Sequence, residues 1–399
     1  MTQLLPAILA SLSLLGPFAV HLFFPLIPVL KTEFHLGTAE AQLAFTAGVL
    51  AMAVSTLWYG SLADRHGRRP VLLVGLAMFV AGSIISTFAG SFTILMIGRV
   101  IQSIGAGCGI TLARAIAKDA YGPQLLVKSI AYLTTFFAIG GLVAPGIGGI
   151  LIDQLGWRGV FGFSSVAGCA MLVGAYAVVP DTRAGTAPSQ FGHSMASSFF
   201  ELLSKPRFCA LIALTACSTG TFMVLATATA VLMKDTLHRP ATEYGLYFCL
   251  VPAGFITGSV ISGRISSRVS LERMLLVAAS IAGAAAAIQS TLLLSGYVTP
   301  IVLFVPGTFM TLAQGLSLPF AQAGAMAIVP RLAGTAAGVG VFAQNVFGAG
   351  FAQIYGLLAD GSPIPMIETT SVTVGCGFVA AVTALLTRPA GHVAARGTA

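Results

Sequence analysis

Long apolar runs, broken only by short polar or basic turns, follow one another along almost the whole chain. The first is "LPAILASLSLLGPFAVHLFFPLIPVL" over 5–30, and others cover 41–62, 70–89, 92–115, 126–152, 157–179, 208–233, 243–265, 272–295, 300–328, 334–358 and 366–387. Each has about the 20 residues a helix needs to cross the hydrocarbon layer of a bilayer. Period-2 alternation with polar partners is missing, which excludes the strands of a membrane barrel. The pattern predicts an all-α polytopic membrane protein of twelve transmembrane helices, with no room between them for a soluble domain.

Composition agrees. Only 8% of the 399 residues are charged and 56% are hydrophobic, where a soluble chain carries about a quarter charged residues. The charges that exist are sorted. With the N-terminus placed in the cytoplasm, fifteen of the twenty Lys and Arg residues fall in inner loops. Lys31, Arg158, Lys234 and Arg239 fall outside, and Arg99 lies within a span. That bias predicts a multi-pass protein of the cell (inner) membrane with both termini cytoplasmic. It also accounts for the net charge of +8, so no nucleic-acid partner is implied. The first run is not read as a cleaved signal peptide, since Met1-Thr2-Gln3 carries no basic side chain. The six cysteines show no spacing of a metal site or disulfide framework, and no metal or cofactor is expected.

The longest polar stretch, 180–207, divides the spans into two sets of six: an N-terminal bundle over 1–179 and a C-terminal bundle over 208–399, joined by a cytoplasmic loop. The tail of that loop, Met195–Leu203, reads equally as a short amphipathic helix on the membrane surface or as a linker. The halves echo each other. "YGSLADRHGRRPVLLV" (59–74) overlays "SGRISSRVSLERMLLV" (262–277) at Gly60/Gly263, Arg65/Arg268 and the final Leu-Leu-Val, at the same place in each half. Paired repeats enclosing a midplane site are a common transporter plan.

Three motifs carry chemistry. "GSLADRHGRRP" packs glycines, an acid and four basic side chains into the turn between spans 2 and 3. "GGLVAPGIGG" (140–149) on span 5 combines small residues, which let membrane helices approach closely, with Pro145, which frees a backbone carbonyl. "GRVIQSIGAG" places Arg99 well inside span 4, where an arginine is costly and is usually functional. It either faces inward or snorkels and bonds helix carbonyls.

Together these resemble the major facilitator superfamily, the first turn matching G-x-L-A-D-R-x-G-R-R throughout. The resemblance implies two pseudo-symmetric six-helix bundles. It implies that Gly60, Asp64, Arg65, Gly67, Arg68 and Arg69 form a cytoplasmic gate, Asp64 pairing with Arg68 and facing the eleventh span near Gly334. The second motif is similar to the signature of drug:proton antiporters at Gly140, Pro145, Gly148 and Gly149, with Ala144 in place of one glycine. Arg99 and Gln102 match the span 4 pattern linked there to proton coupling. "FFPLIP", "GWRGVF" and "GTAAGVGVFAQNVFG" resemble the Bcr/CflA branch of drug exporters.

One departure stands out. None of the twelve acids lies mid-span, and where the Bcr/CflA pattern carries an acid four residues before the first proline of P-x-x-P, this chain has His21 before Pro25. Imidazole titrates near pH 6.5 when unperturbed, so three roles are open to it: proton carrier, substrate ligand or structural hydrogen bonder. The expected site gathers His21, Arg99, Gln102, Phe24, Phe136, Gln344 and Asn345, an aromatic and amide lining suited to small amphipathic molecules. With no acid beside it, neutral or weakly acidic compounds fit better than permanent cations. No phosphate loop or catalytic constellation is present, so an enzyme is not expected. The expected function is a secondary active transporter that exports small amphipathic compounds of the drug type by alternating access in exchange for protons, with a single copy sufficient. A metabolite facilitator and a transport-incompetent sensor are the rival readings.

Overall fold

The structure, a computed structural model, describes residues 4–180 and 195–387. Among them there is no strand. The helices in chain order are α1 (Leu5–Ser13), α2 (Leu15–His21), α3 (Leu26–Glu33), α4 (Thr38–His66), α5 (Arg68–Thr87), α6 (Phe92–Ala106), α7 (Cys108–Val178), α8 (Met195–Leu203), α9 (Pro206–Val231), α10 (Ala241–Phe248), α11 (Leu250–Ile265), α12 (Leu271–Leu294), α13 (Pro300–Ile328), α14 (Ala333–Leu358) and α15 (Ile364–Leu386).

Nine of the described helical runs are long and apolar enough to cross a bilayer, or ten with the bent pair Leu5–His21 and Leu26–Glu33 taken as one span. Two more passes follow from geometry. The run Tyr132–Val178 has 47 residues, which at 1.5 Å per residue is about 70 Å, more than twice the hydrocarbon thickness. Gly156 sits within it at φ +71°, a conformation glycine adopts without the Cβ penalty, and there the chain turns back. The helix α14, of 26 residues, is long enough to span but is diluted by glycine and by Gln344, Asn345 and Gln353. Ten, one and one make the expected twelve.

The first span is broken where its sequence demands it. Pro25 offers no N–H to the turn before it, and residues 22–25 between α2 and α3 are turns rather than regular helix. The two pieces meet at 48°, with His21 as the last residue before the break. The segment Met195–Leu203 is helical, resolving the choice between helix and linker. Its Leu202 is fully buried, in one apolar cluster with Phe208 and Leu211, and its Glu201 pairs with Arg331. Residues 181–194 of the expected central loop, 180–207, lie outside the described residues.

Burial shows how the halves meet. One apolar cluster draws on both: Phe24, Phe45 and Phe161 from the first, Tyr244, Phe248 and Phe304 from the second. Two other clusters each stay within one half. One gathers Leu9, Tyr59, Ala63 and Ile116; the other gathers Phe208, Ala325, Val329 and Ala384. The shared cluster lies toward the end of the molecule bearing Lys31 and Asp235. The separate ones lie toward the end bearing the Asp64–Arg69 turn. These are termed the outer and inner ends, after the topology the basic loops predict. The halves are joined at the outer end and apart at the inner end.

Candidate functional site

The break after His21 aims its imidazole at the seam between the halves. Nδ1 lies 3.2 Å from the carbonyl oxygen of Gly141 on α7, so this nitrogen donates and Nε2 keeps a lone pair. The ring stacks on Phe24 at 5.3 Å and tilts against Phe222 of α9 at 5.7 Å. Phe222 and Phe24 both reach Phe248 of α10. A half-buried histidine is thus set in an aromatic patch drawn from both halves, and its Nε2 lone pair is not used by the bond to Gly141. Gly141 leaves space for it: a Cβ there would come within 2.9 Å of the imidazole.

Arg99 turns inward rather than snorkelling and is 2% exposed. One guanidinium nitrogen donates to Gln102 Oε1 at 2.6 Å and another to the Ala19 carbonyl at 3.2 Å. Its carbon sits 4.2 Å from the centre of the Phe23 ring, a cation–π distance. Gln102 in turn donates to Ser83 Oγ at 2.8 Å. The cation therefore ties α6 to α2 and α5 through neutral acceptors and a ring face. Its partners, Ala19 and Phe23, flank His21 in sequence, while the imidazole itself turns to α7.

The remaining expected residues do not form one lining. Phe136 pairs with Tyr132 along its own helix at 4.9 Å. Asn345 donates back to Val341 of its own helix at 2.9 Å. Gln344 is half-buried, and its Nε2 finds no partner among the described residues. An apolar concavity of about 820 Å³ on the flank of the first half, walled by Leu50, Val54, Trp58, Val74 and Met78, takes no residue from the second half. Its apolar walls suit lipid chains better than a transported molecule.

The antiporter-like motif faces two ways. Gly140 and Gly148 lie against the first span, at Pro17 and Leu22. Gly149 lies against the Ala241 backbone of α10 in the other half, and Gly245 returns the contact 2.6 Å from the Pro145 carbonyl oxygen, measured from an ideal Cβ. Larger side chains at Gly149 or Gly245 would push the helices apart.

The gate motif closes on itself. Gly67 holds the turn at φ +95°. Arg68 pairs with Asp64 at 2.6 Å and with Asp119 at 3.1 Å, while Arg69 donates to the Tyr176 carbonyl at 2.7 Å. Arg65 is exposed. The expected contact of Asp64 with the start of α14 is not made in this conformation: open space surrounds both Gly60 and Gly334, because the halves are separated here.

Sequence reasoning missed the second half's contribution. The signal was available in "YGLYF", whose Tyr244, Tyr247 and Phe248 fall on one face of α10 at i, i+3 and i+4. It also missed the acid that reaches across the seam, Asp153, described below.

A twelve-span helical chain in two bundles, with a bent first span, a buried arginine on span 4 and a self-paired basic turn after span 2, is a membrane transporter of the major facilitator type. The chain belongs to the Major Facilitator Superfamily, whose family model matches residues 9–353. It is similar to Multidrug resistance protein D of Escherichia coli strain K12, 28% identical over 353 residues and 88% of each chain. It is also similar to Multidrug resistance protein MdtL of Shigella dysenteriae, 26% identical over 62% of this chain and 63% of that one. Among solved structures, a bacterial homologue of the human lysosomal transporter Spinster, inward-facing and unoccupied, matches with a TM-score of 0.77 at 17% identity, covering 97% of this chain and 98% of that one. A D-xylose–proton symporter matches at 0.76 and 15% identity, with the same coverages. At those identities the likeness concerns fold alone.

Proposed function

We propose that this chain exports small amphipathic compounds of the drug type across the inner membrane by alternating access, taking up protons in exchange. The observation that carries it is the similarity to a multidrug resistance protein along 88% of both chains. The termini face the cytoplasm, the bundles are 1–179 and 208–399 joined through 180–207, and a single copy suffices. The Bcr/CflA-like branch is the placement that its first-span prolines and the 334–348 stretch favour.

His21 is the proton carrier in this scheme. Its Nδ1 is held by Gly141, and Nε2 is left to load at one face of the membrane and release at the other. Arg99, buried with neutral partners, biases the neighbourhood against cations, so the substrates are neutral or weakly acidic. Their flat apolar faces would rest on Phe24 and Phe222.

The test is reconstitution in liposomes with an imposed pH gradient and a trapped pH dye, screening neutral, weakly acidic and quaternary cationic compounds. Substrate-dependent proton movement is expected for the first two classes and is lost in His21→Ala, while Phe136→Leu retains it. Efficient transport of quaternary cations would overturn the substrate class; transport indifferent to the gradient would overturn the exchange.

A further inference from the structure

Among the polar links between the halves at the outer end of the seam, two use charged side chains. Lys31 Nζ of α3 lies 2.6 Å from Asp235 Oδ2 of the second half. Asp235 sits in a widened π-helical turn, Leu232–Thr236, that continues α9. The second link is less obvious. Helix α10 begins after Pro240, which supplies no side-chain acceptor for the free N–H groups of the first turn. Asp153, near the outer end of span 5 in α7, supplies it from the other half: Oδ1 accepts from Ala241 N at 3.2 Å and Oδ2 from Thr242 N at 2.7 Å. A carboxylate on two backbone N–H groups at a helix N-terminus meets both an unsatisfied donor pair and the positive end of the helix dipole.

We propose that Asp153 is the outer-gate latch of this transporter, holding the outer end shut by capping α10 across the seam, with Lys31–Asp235 as its partner. Every link of this kind must break for the outer end to open. Asp153 acts through α10 and touches no substrate; it is a positioning residue. Around it, Lys234 and Arg239 line the same small cavity, of about 30 Å³, with Ala230 and Tyr244.

The experiment reads the two ends of the seam at once. Ala230→Cys, 2% exposed here, reports on the outer end. Gly338→Cys, with open space around it, reports on the inner end. Each is introduced singly into the full chain, and its labelling by a membrane-impermeant maleimide is followed in right-side-out and inverted vesicles against the parent chain. With Asp153→Ala, Ala230→Cys labels about tenfold faster from the outer face, the size expected for loss of a helix cap, while Gly338→Cys labels more slowly. Loosening confined to α10 would leave Gly338→Cys unchanged and overturn the proposal, as would an unaltered rate at Ala230→Cys. Lys31→Ala moves both reporters in the same directions by less, and the swap Lys31→Asp with Asp235→Lys restores them. Should Asp153→Ala fail to reach the membrane, Asp153→Asn decides, since it keeps the shape and loses the charge. No substrate enters the assay, so its outcome is separate from the export reading.

Discussion

The two ends of the seam use the same kinds of residue in opposite ways. At the outer end, charges and backbone groups bond across it: Lys31 to Asp235, Asp153 to the start of α10, and Gln353 of α14 to the Ala39 carbonyl of α4 at 3.0 Å. At the inner end, ion pairs close within one half: Asp64 and Asp119 with Arg68, Arg207 with Glu272, Glu201 with Arg331. The apolar clusters divide in the same way, one shared across the outer end and the others each confined to one half. A rocking transporter needs each end to have two stable arrangements of similar energy. Charges satisfied within their own half leave the inner end free to part. Those shared across the outer end hold it shut in this conformation.

Gly149→Val should have the largest effect. Its side chain would enter the space of the Ala241 backbone, where neither helix can yield locally, and overpacking of this kind costs about 1–3 kcal/mol. That shifts the balance of the two conformations by roughly ten- to a hundredfold toward an open outer end. The check is maleimide labelling at Ala230→Cys, expected to rise steeply, with transport in liposomes largely lost. If Gly149→Val transports normally, the outer end does not depend on backbone contact between α7 and α10.

How much of this was legible beforehand divides along physical lines. The twelve spans and the basic turn follow from local apolar length and from a contiguous motif, which need no knowledge of packing. The cost of a lipid-facing cation marked Arg99, but its inward course rather than snorkelling was decided by the structure. By contrast, Asp153 and Ala241 are 88 residues apart, and nothing local marks Asp153 as a cap for a helix that begins after Pro240. The contact expected between Asp64 and the start of α14 is absent from this conformation, in which Asp64 pairs with Arg68 of its own half. A motif names the parts of a latch without saying which state it is in. His21 is intermediate: its departure from the acid pattern was visible, but its hold on Gly141 and its place against Phe222 depend on the break at Pro25 and on the second half.

Gln42 offers a change of opposite sign and moderate size. It is fully buried on α4, its Cβ and Cγ are pressed close to Gly356 of α14, and neither amide atom finds a partner among the described residues. Unsatisfied polar atoms cost about 1–3 kcal/mol each, so the closed outer end carries a strain that assists its opening. Gln42→Met, similar in volume and apolar, should tighten the closure. Labelling at Ala230→Cys is expected to fall several-fold and turnover to fall with it, while thermal stability rises. Faster labelling in Gln42→Met would mean that the amide contributes to closure rather than opposing it.

The smallest effect is expected at the inner end, from Asp64→Asn. The Asp64 side chain is 57% exposed and pairs with Arg68 four residues on within the same turn, a geometry worth only about 0.3–0.5 kcal/mol. Arg68 keeps Asp119 at 3.1 Å when Asp64 is neutralised, so the turn itself stands. Because the pair does not reach the second half here, its loss should change the outer reporter by less than about twofold. The inner reporter, Gly338→Cys, carries the informative outcome. If Asp64 engages the start of α14 only when the inner end closes, Asp64→Asn weakens that closed state alone. The inner label then reacts slightly faster, and transport slows without any loss of thermal stability. A tenfold rise at Ala230→Cys instead would show that the two ends are not separable, and that the self-contained pairing inside is coupled to the bonds across the seam outside.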